Sequence, residues 1–168
     1  MWQSIKARST IIRLQAIKPG DQYNPGEIFG AIANGGTSEL VDVIQYAETI
    51  KTKGLVFMDS PGYDPVSVTG QVASRANVVS FTTGRGSVFG CKPVSSLKLA
   101  TYSSMFFRMT EDMDLNCGEI IDGTTDVQEM GSKILHKVVA TAAGELTKSE
   151  EFGFGDHEFA PWEIGAVL

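Results

Sequence analysis

The densest run of chemically useful residues is Thr82-Thr83-Gly84-Arg85-Gly86-Ser87, followed by Gly90, Cys91 and Lys92. Glycines let a backbone approach a ligand closely, and hydroxyls with successive N–H groups can receive an anion. A guanidinium can hold a carboxylate or phosphate through two parallel hydrogen bonds, and Lys92 adds a point charge nearby. The same spacing equally suits a tight loop with a solvent-exposed arginine, and composition alone does not choose between the two. Nucleotide motifs are excluded. The P-loop pattern GxxxxGK with a following hydroxyl residue is absent, and Gly84, Gly86 and Gly90 miss GxGxxG by one residue at the last glycine.

A second loop, Asp59-Ser60-Pro61-Gly62-Tyr63-Asp64, places two carboxylates around a turn, where they can hold a hard metal or position a hydroxyl. Asp64 precedes Pro65 and reads more simply as a helix N-cap, which leaves Asp59 as the better functional candidate. Cys91 and Cys117 are too far apart for a closed zinc motif, and no histidine stands at ligand spacing, so small buried hydrophobes is the simpler reading. His136 falls within a helical pattern. His157 lies between Asp156 and Glu158 and reads as part of a solvated charge cluster. No Ser/His/Asp or Cys/His arrangement follows from spacing.

The elements that must hold these loops follow from periodicity. Leu55 to Asp59 is apolar on both faces, as in a strand covered by helices on both sides. A helix after Asp64 buries Val66, Thr69, Val72 and Ala76, and Asn77 to Thr82 is the next strand, giving a parallel crossover. Leu97 to Thr101 and Leu115 to Cys117 supply further strands, with a helix over Ser103 to Asp112. Earlier, Ser9 to Ile17 alternates as a strand, Asn24-Pro25-Gly26-Glu27 opens a short helix, and Leu40, Val41, Ile44 and Ala47 predict a helix over Ser38 to Glu48. The longest helix spans Asp126 to Ala143, with a Thr125/Gln128 capping box and Gly144 as its stop. The remaining tail is rich in glycine and aromatic residues and has no periodicity. The expected fold is α/β: a mostly parallel sheet flanked by helices, three-layered and Rossmann-like, in one domain. Both special loops lie at the carboxyl ends of strands, where ligands bind such sheets.

The 168 residues suffice for one core, and 42% hydrophobic with 20% charged residues is the balance of a soluble globular chain. A formal charge of -6 with no Lys/Arg cluster argues against nucleic acid, and no apolar run reaches the roughly 18 residues of a membrane span. Two cysteines make no disulfide framework, and the cytoplasm is the expected location.

The string GLVFMDSPGYDPVSVTGQVASRANVVSFTTGRGSVFGCKP, then SLKLAT and MDLNCGEIIDG, closely resembles the C-terminal domain of the altronate/galactarate dehydratase family. The resemblance runs from about residue 32 into the tail, where GELTKSE and EFAPWEIG also match. It implies a domain over 24–168, with the tail from about 145, and leaves 1–23 unassigned. It further implies dehydration of a sugar acid such as D-altronate or D-galactarate to a 2-keto-3-deoxy acid, dependent on a divalent metal, usually Fe2+. Sulfolactate sulfo-lyase is a related eliminating member. On that resemblance Thr82, Thr83, Gly84, Arg85, Gly86, Ser87 and Lys92 would bind substrate carboxylate or hydroxyls. Asp59 would orient a hydroxyl or a metal-bound water, and Cys91 and Cys117 become conceivable metal ligands. Family enzymes are much longer, so the resemblance implies an upstream domain or companion subunit carrying the base and most metal ligands, and a homo-oligomer. The alternative is a non-catalytic assembly module that docks through Phe152, Phe154, Phe159 and Trp162.

Overall fold

A computed structural model describes residues 10–12 and 36–162. The expected helix start at Asn24 and most of the Ser9–Ile17 strand lie outside those residues. The chain divides into two compact units, Met1–Arg75 with Ala160–Leu168, and Ala76–Phe159. Each contains a three-stranded, wholly parallel sheet, in keeping with the α/β class expected.

In the first unit, β1 (Thr10–Ile12) and β2 (Leu40–Ile44) flank β3 (Leu55–Met58). β2 corrects the helix expected over Ser38 to Glu48. Val41, Val43 and Ile44 are β-branched, and the Asp42 carboxylate accepts the N–H of Val43, a local bond that competes with helix formation. As an edge strand β2 leaves Leu40, Val41 and Val43 exposed, so the apparent apolar stripe is not a buried helix face. Ile44, Val56 and Met58 form the core, with Tyr46 and Ile50 against it. Helix α1 (Asp64–Ala73) follows the Pro61-Gly62 turn. Its N-cap is Tyr63 rather than Asp64; Asp64 is the first helical residue, where its negative charge suits the helix N-terminus. Ser74, at the end of α1, donates to the carbonyl of Gly70 and contacts Met58 Sδ, tying the helix to β3.

In the second unit β5 (Ser95–Ala100) lies between β4 (Val78–Thr83) and β6 (Leu115–Asn116). β3 and β4 therefore belong to different sheets, and the crossover expected to pair them does not do so. The two special loops do follow strand carboxyl ends, but not on one sheet edge. α2 (Ser103–Arg108) packs on β5 and β6, and α3 (Val127–Ala142) on β4 and β5. The N-cap of α3 is Asp126, whose carboxylate accepts the Glu129 N–H at 2.8 Å; the Thr125/Gln128 box is not formed. Gly144, at φ +107°, ends it as expected. The tail is structured. Thr147 and Glu150 make a capping box that starts a one-turn helix, α4 (Lys148–Glu151).

Candidate functional site

Three loops leave the carboxyl edge of the second sheet, one after each strand. The first follows β4. Thr83 Oγ1 accepts the Gly86 N–H at 3.1 Å, and Ser87 Oγ accepts the Phe89 N–H at 3.0 Å, so two of the expected ligand hydroxyls are already shaping the loop. Gly86 stands at φ +96°, a conformation that requires glycine, and a Cβ there would also displace the Met109 side chain, whose Sδ would lie 2.1 Å away. Gly84 sits against Thr101 Oγ1 and the Tyr102 ring. Thr82, Gly84 and Arg85 are exposed, and among the described residues no ion pair holds the Arg85 guanidinium. Lys92 differs: its Nζ lies 2.6 Å from Asp156, which holds that carboxyl below the usual range through the hydrogen bond from Lys92. Lys92 thus already has a carboxylate partner.

The second and third loops hold a polar cluster that was not anticipated. Ser103 accepts from the Asn116 side-chain amide at 2.9 Å and donates to the Asp122 carboxylate. Asn116 Oδ1 in turn accepts the Gly118 N–H, capping the 3₁₀ turn over Cys117–Ile120. Gly118 is wedged against the backbone of Tyr102 and Ser103. The legible signal was Asp-Leu-Asn-Cys-Gly, a short strand ending in a capping residue and a glycine. Lys98 has no counterpart among the expected site residues. It lies wholly buried in the middle of β5, and its backbone is bracketed by Asp114, which accepts the Lys98 N–H at 2.7 Å.

Cys91 and Cys117 are half-buried free thiols. Burial pushes both thiols up, aided by Glu158 at Cys91 and Glu119 at Cys117, so both favour the protonated form. Thiolate is the form a metal takes. Among the described residues no three His, Cys, Asp or Glu side chains converge on a common point. This donor set does not fit an iron site. Asp59 is exposed in the first unit, where its backbone N–H bonds the Ile44 carbonyl and leaves the carboxylate toward solvent.

The comparisons with known proteins point the same way throughout. The family model for "D-galactarate/Altronate dehydratase, C-terminal" matches residues 27–167. Galactarate dehydratase (L-threo-forming) of Escherichia coli is 36% identical over 125 residues, 74% of this chain and 24% of that protein. Altronate dehydratase of Bacillus subtilis is 30% identical over 139 residues, 83% of this chain and 27% of its own. The beta subunit of (2R)-sulfolactate sulfo-lyase of Chromohalobacter salexigens is 32% identical over 111 residues, 66% of this chain and 28% of its own. The chain spans about a quarter of the length of these relatives. With the match covering most of its residues, it belongs to the galactarate/altronate dehydratase family and corresponds to that family's C-terminal domain.

Proposed function

We propose that this chain is the carboxylate-binding end of a sugar-acid dehydratase acting on an aldonate or aldarate. The observation that carries the reading is the exposed Arg85, set between two glycines at the carboxyl end of a parallel strand. The family's dehydratases supply the reaction class. In such an elimination a base takes the proton α to the carboxylate, the β-hydroxyl leaves as water, and the enol tautomerises to the 2-keto-3-deoxy acid. Negative charge grows on the substrate carboxylate as the proton departs. A guanidinium bonded to that group binds the transition state more tightly than the ground state. Thr82 offers an exposed hydroxyl beside it. Iron, the metal expected of the family, would be held by residues other than the described ones. The base and a companion domain or subunit would likewise be supplied from outside this chain. The family's dehydratases favour this over an assembly module; the tail does not decide between them, because Phe152, Phe154, Phe159 and Trp162 all keep exposed surface.

The test is dehydration of D-galactarate and D-altronate with iron(II), by the chain alone and mixed with the upstream portion of a family member. Keto acid is expected only on mixing. Arg85→Ala should lower kcat/KM about tenfold to a hundredfold, the loss of a charged hydrogen-bonded contact. Absence of product in both arms would refute the reading, and full activity in Arg85→Ala would remove the clamp.

A further inference from the structure

Lys98 is 0% exposed, and its Nζ has no hydrogen-bond partner among the described residues. A buried ammonium without a partner is among the costlier groups a fold can carry, and methionine or leucine would serve the core better. Burial pushes its pKa down, against the upward pull of Asp112 and Asp114. Ser96 Oγ, two residues earlier, is equally without a partner. Side chains alternate along a strand, so Ser96, Lys98 and Ala100 share one face of β5. Ala100 packs on Met105 and Met113, and Gly86 abuts Met109 and Met105. In register, Phe81 lies beside Lys98 and Thr83 beside Ala100, and Phe89 from the loop stacks on Phe81. The glycine loop and α2 therefore roof the face that carries the two orphaned polar atoms. The hydrogen bonds that shape the loop, from the Gly86 N–H to Thr83 and from the Phe89 N–H to Ser87, are internal to it, while its two ends are tied down, by Thr101 on the Thr83 carbonyl and by Gly90 against Ser149.

We propose that Lys98, with Ser96, is the inner anchor of an anion site beneath the glycine loop. It takes a substrate carboxylate when the loop lifts, and Arg85 makes the outer contact. The identity of the anion rests on the sugar-acid reading above; the site itself does not. The amine is kept in the core at a cost to stability because a ligand, rather than the fold, completes its bonding.

The chain is titrated with D-galactarate and, separately, with malonate. It is followed by thermal unfolding and by reductive methylation of lysines read by mass spectrometry. Both anions are expected to raise the Tm of the parent. Lys98→Met should unfold no earlier than the parent without anion, yet need at least tenfold more of either anion for the same rise. In the parent, Lys98 should be methylated faster than the whole chain unfolds, and either anion should slow it. A Lys98→Met chain that answers malonate as the parent does overturns the proposal, as does a parent indifferent to both anions. If Lys98→Met does not fold, the parent's methylation decides, because labelling only at the global unfolding rate, with or without anion, also overturns it. A parent that answers malonate but not galactarate keeps the anion site and removes the sugar-acid reading.

Discussion

A methyl group on Gly118 would lie 2.2 Å from the Ser103 backbone nitrogen and 2.6 Å from the Tyr102 carbonyl carbon. Backbone cannot yield as a flexible side chain can, so Gly118→Ala must push the 3₁₀ turn off α2 and break the Ser103–Asn116–Asp122 cluster. We expect a loss of about 3 kcal/mol in urea unfolding. Gly131→Ala, in open space on α3, should instead gain up to about 1 kcal/mol through helix propensity. Equal effects at both sites would contradict the packing argument. At this scale the sequence announces some roles and hides others. The glycines and Arg85 were legible because their chemistry is local. Lys98 was hidden because a lysine within SLKLA reads as an exposed alternate residue, and only the roof over β5 makes it buried. Lys92 was legible as a charge, but its partner, Asp156, lies 64 positions away and no spacing rule reaches it.

Helix α1 ends in an unusual way. Ser74 is its C-cap, and the next residue, Arg75, stands at φ +83°, a conformation that costs a side chain and that glycine adopts freely. Arg75→Gly is therefore expected to stabilise the chain by about 0.5–1 kcal/mol, net of the looser unfolded state, as read by a rise in Tm. An unchanged or lower Tm would mean that the arginine side chain contributes more than its backbone strain removes. Elements were most legible where length and stops agreed, as in α3 with Gly144 and in β3, β4 and β5. The errors have particular causes. A five-residue segment such as Leu40–Ile44 fits both helical and strand spacing, and pairing with β3 decides it. Caps were displaced by one residue: at Tyr63, which occupies the N-cap position with no side-chain bond, and at Asp126, which stands beside Thr125 so that only geometry picks between them.

At the scale of the molecule, the segment from Thr147 through α4 is a strap rather than a loose end. Glu150 accepts the Ser95 hydroxyl at 2.7 Å, and the Lys148 N–H donates to Asp114 at 2.8 Å, so α4 is bonded to β5 and to the turn before β6. Burial pushes the Glu150 carboxyl up, but hydrogen bonds from the Thr147 N–H and the Ser95 and Thr147 hydroxyls outweigh it, and the group ends below its usual value. The sign follows: a depressed carboxyl adds stability that is whole above the ordinary glutamate range and is lost as pH falls through the folded pKa. Thermal unfolding between pH 6 and pH 3 should show this loss in the parent, and Glu150→Gln should lower Tm at pH 6 while flattening the dependence. A variant with an unaltered pH profile would show that the strap is held by other contacts. The α/β class was readable from strand and helix order. The division into two sheets was not, because parallel pairing is chosen by partners distant in sequence.

The first unit is discontinuous. Ala160 bonds Thr69 across 91 positions, and Trp162 meets Tyr46, whereas the second unit is one unbroken run, Ala76–Phe159. During synthesis, then, the later segment is the first whose residues are all in hand. When Phe159 emerges from the ribosome, all of the second unit's chain is present. The earlier segment can seat Tyr46 against Gly70 and Val66 by itself, but Thr69 and the outer edge of the Tyr46 ring lack their partners, Ala160 and Trp162, until those residues emerge.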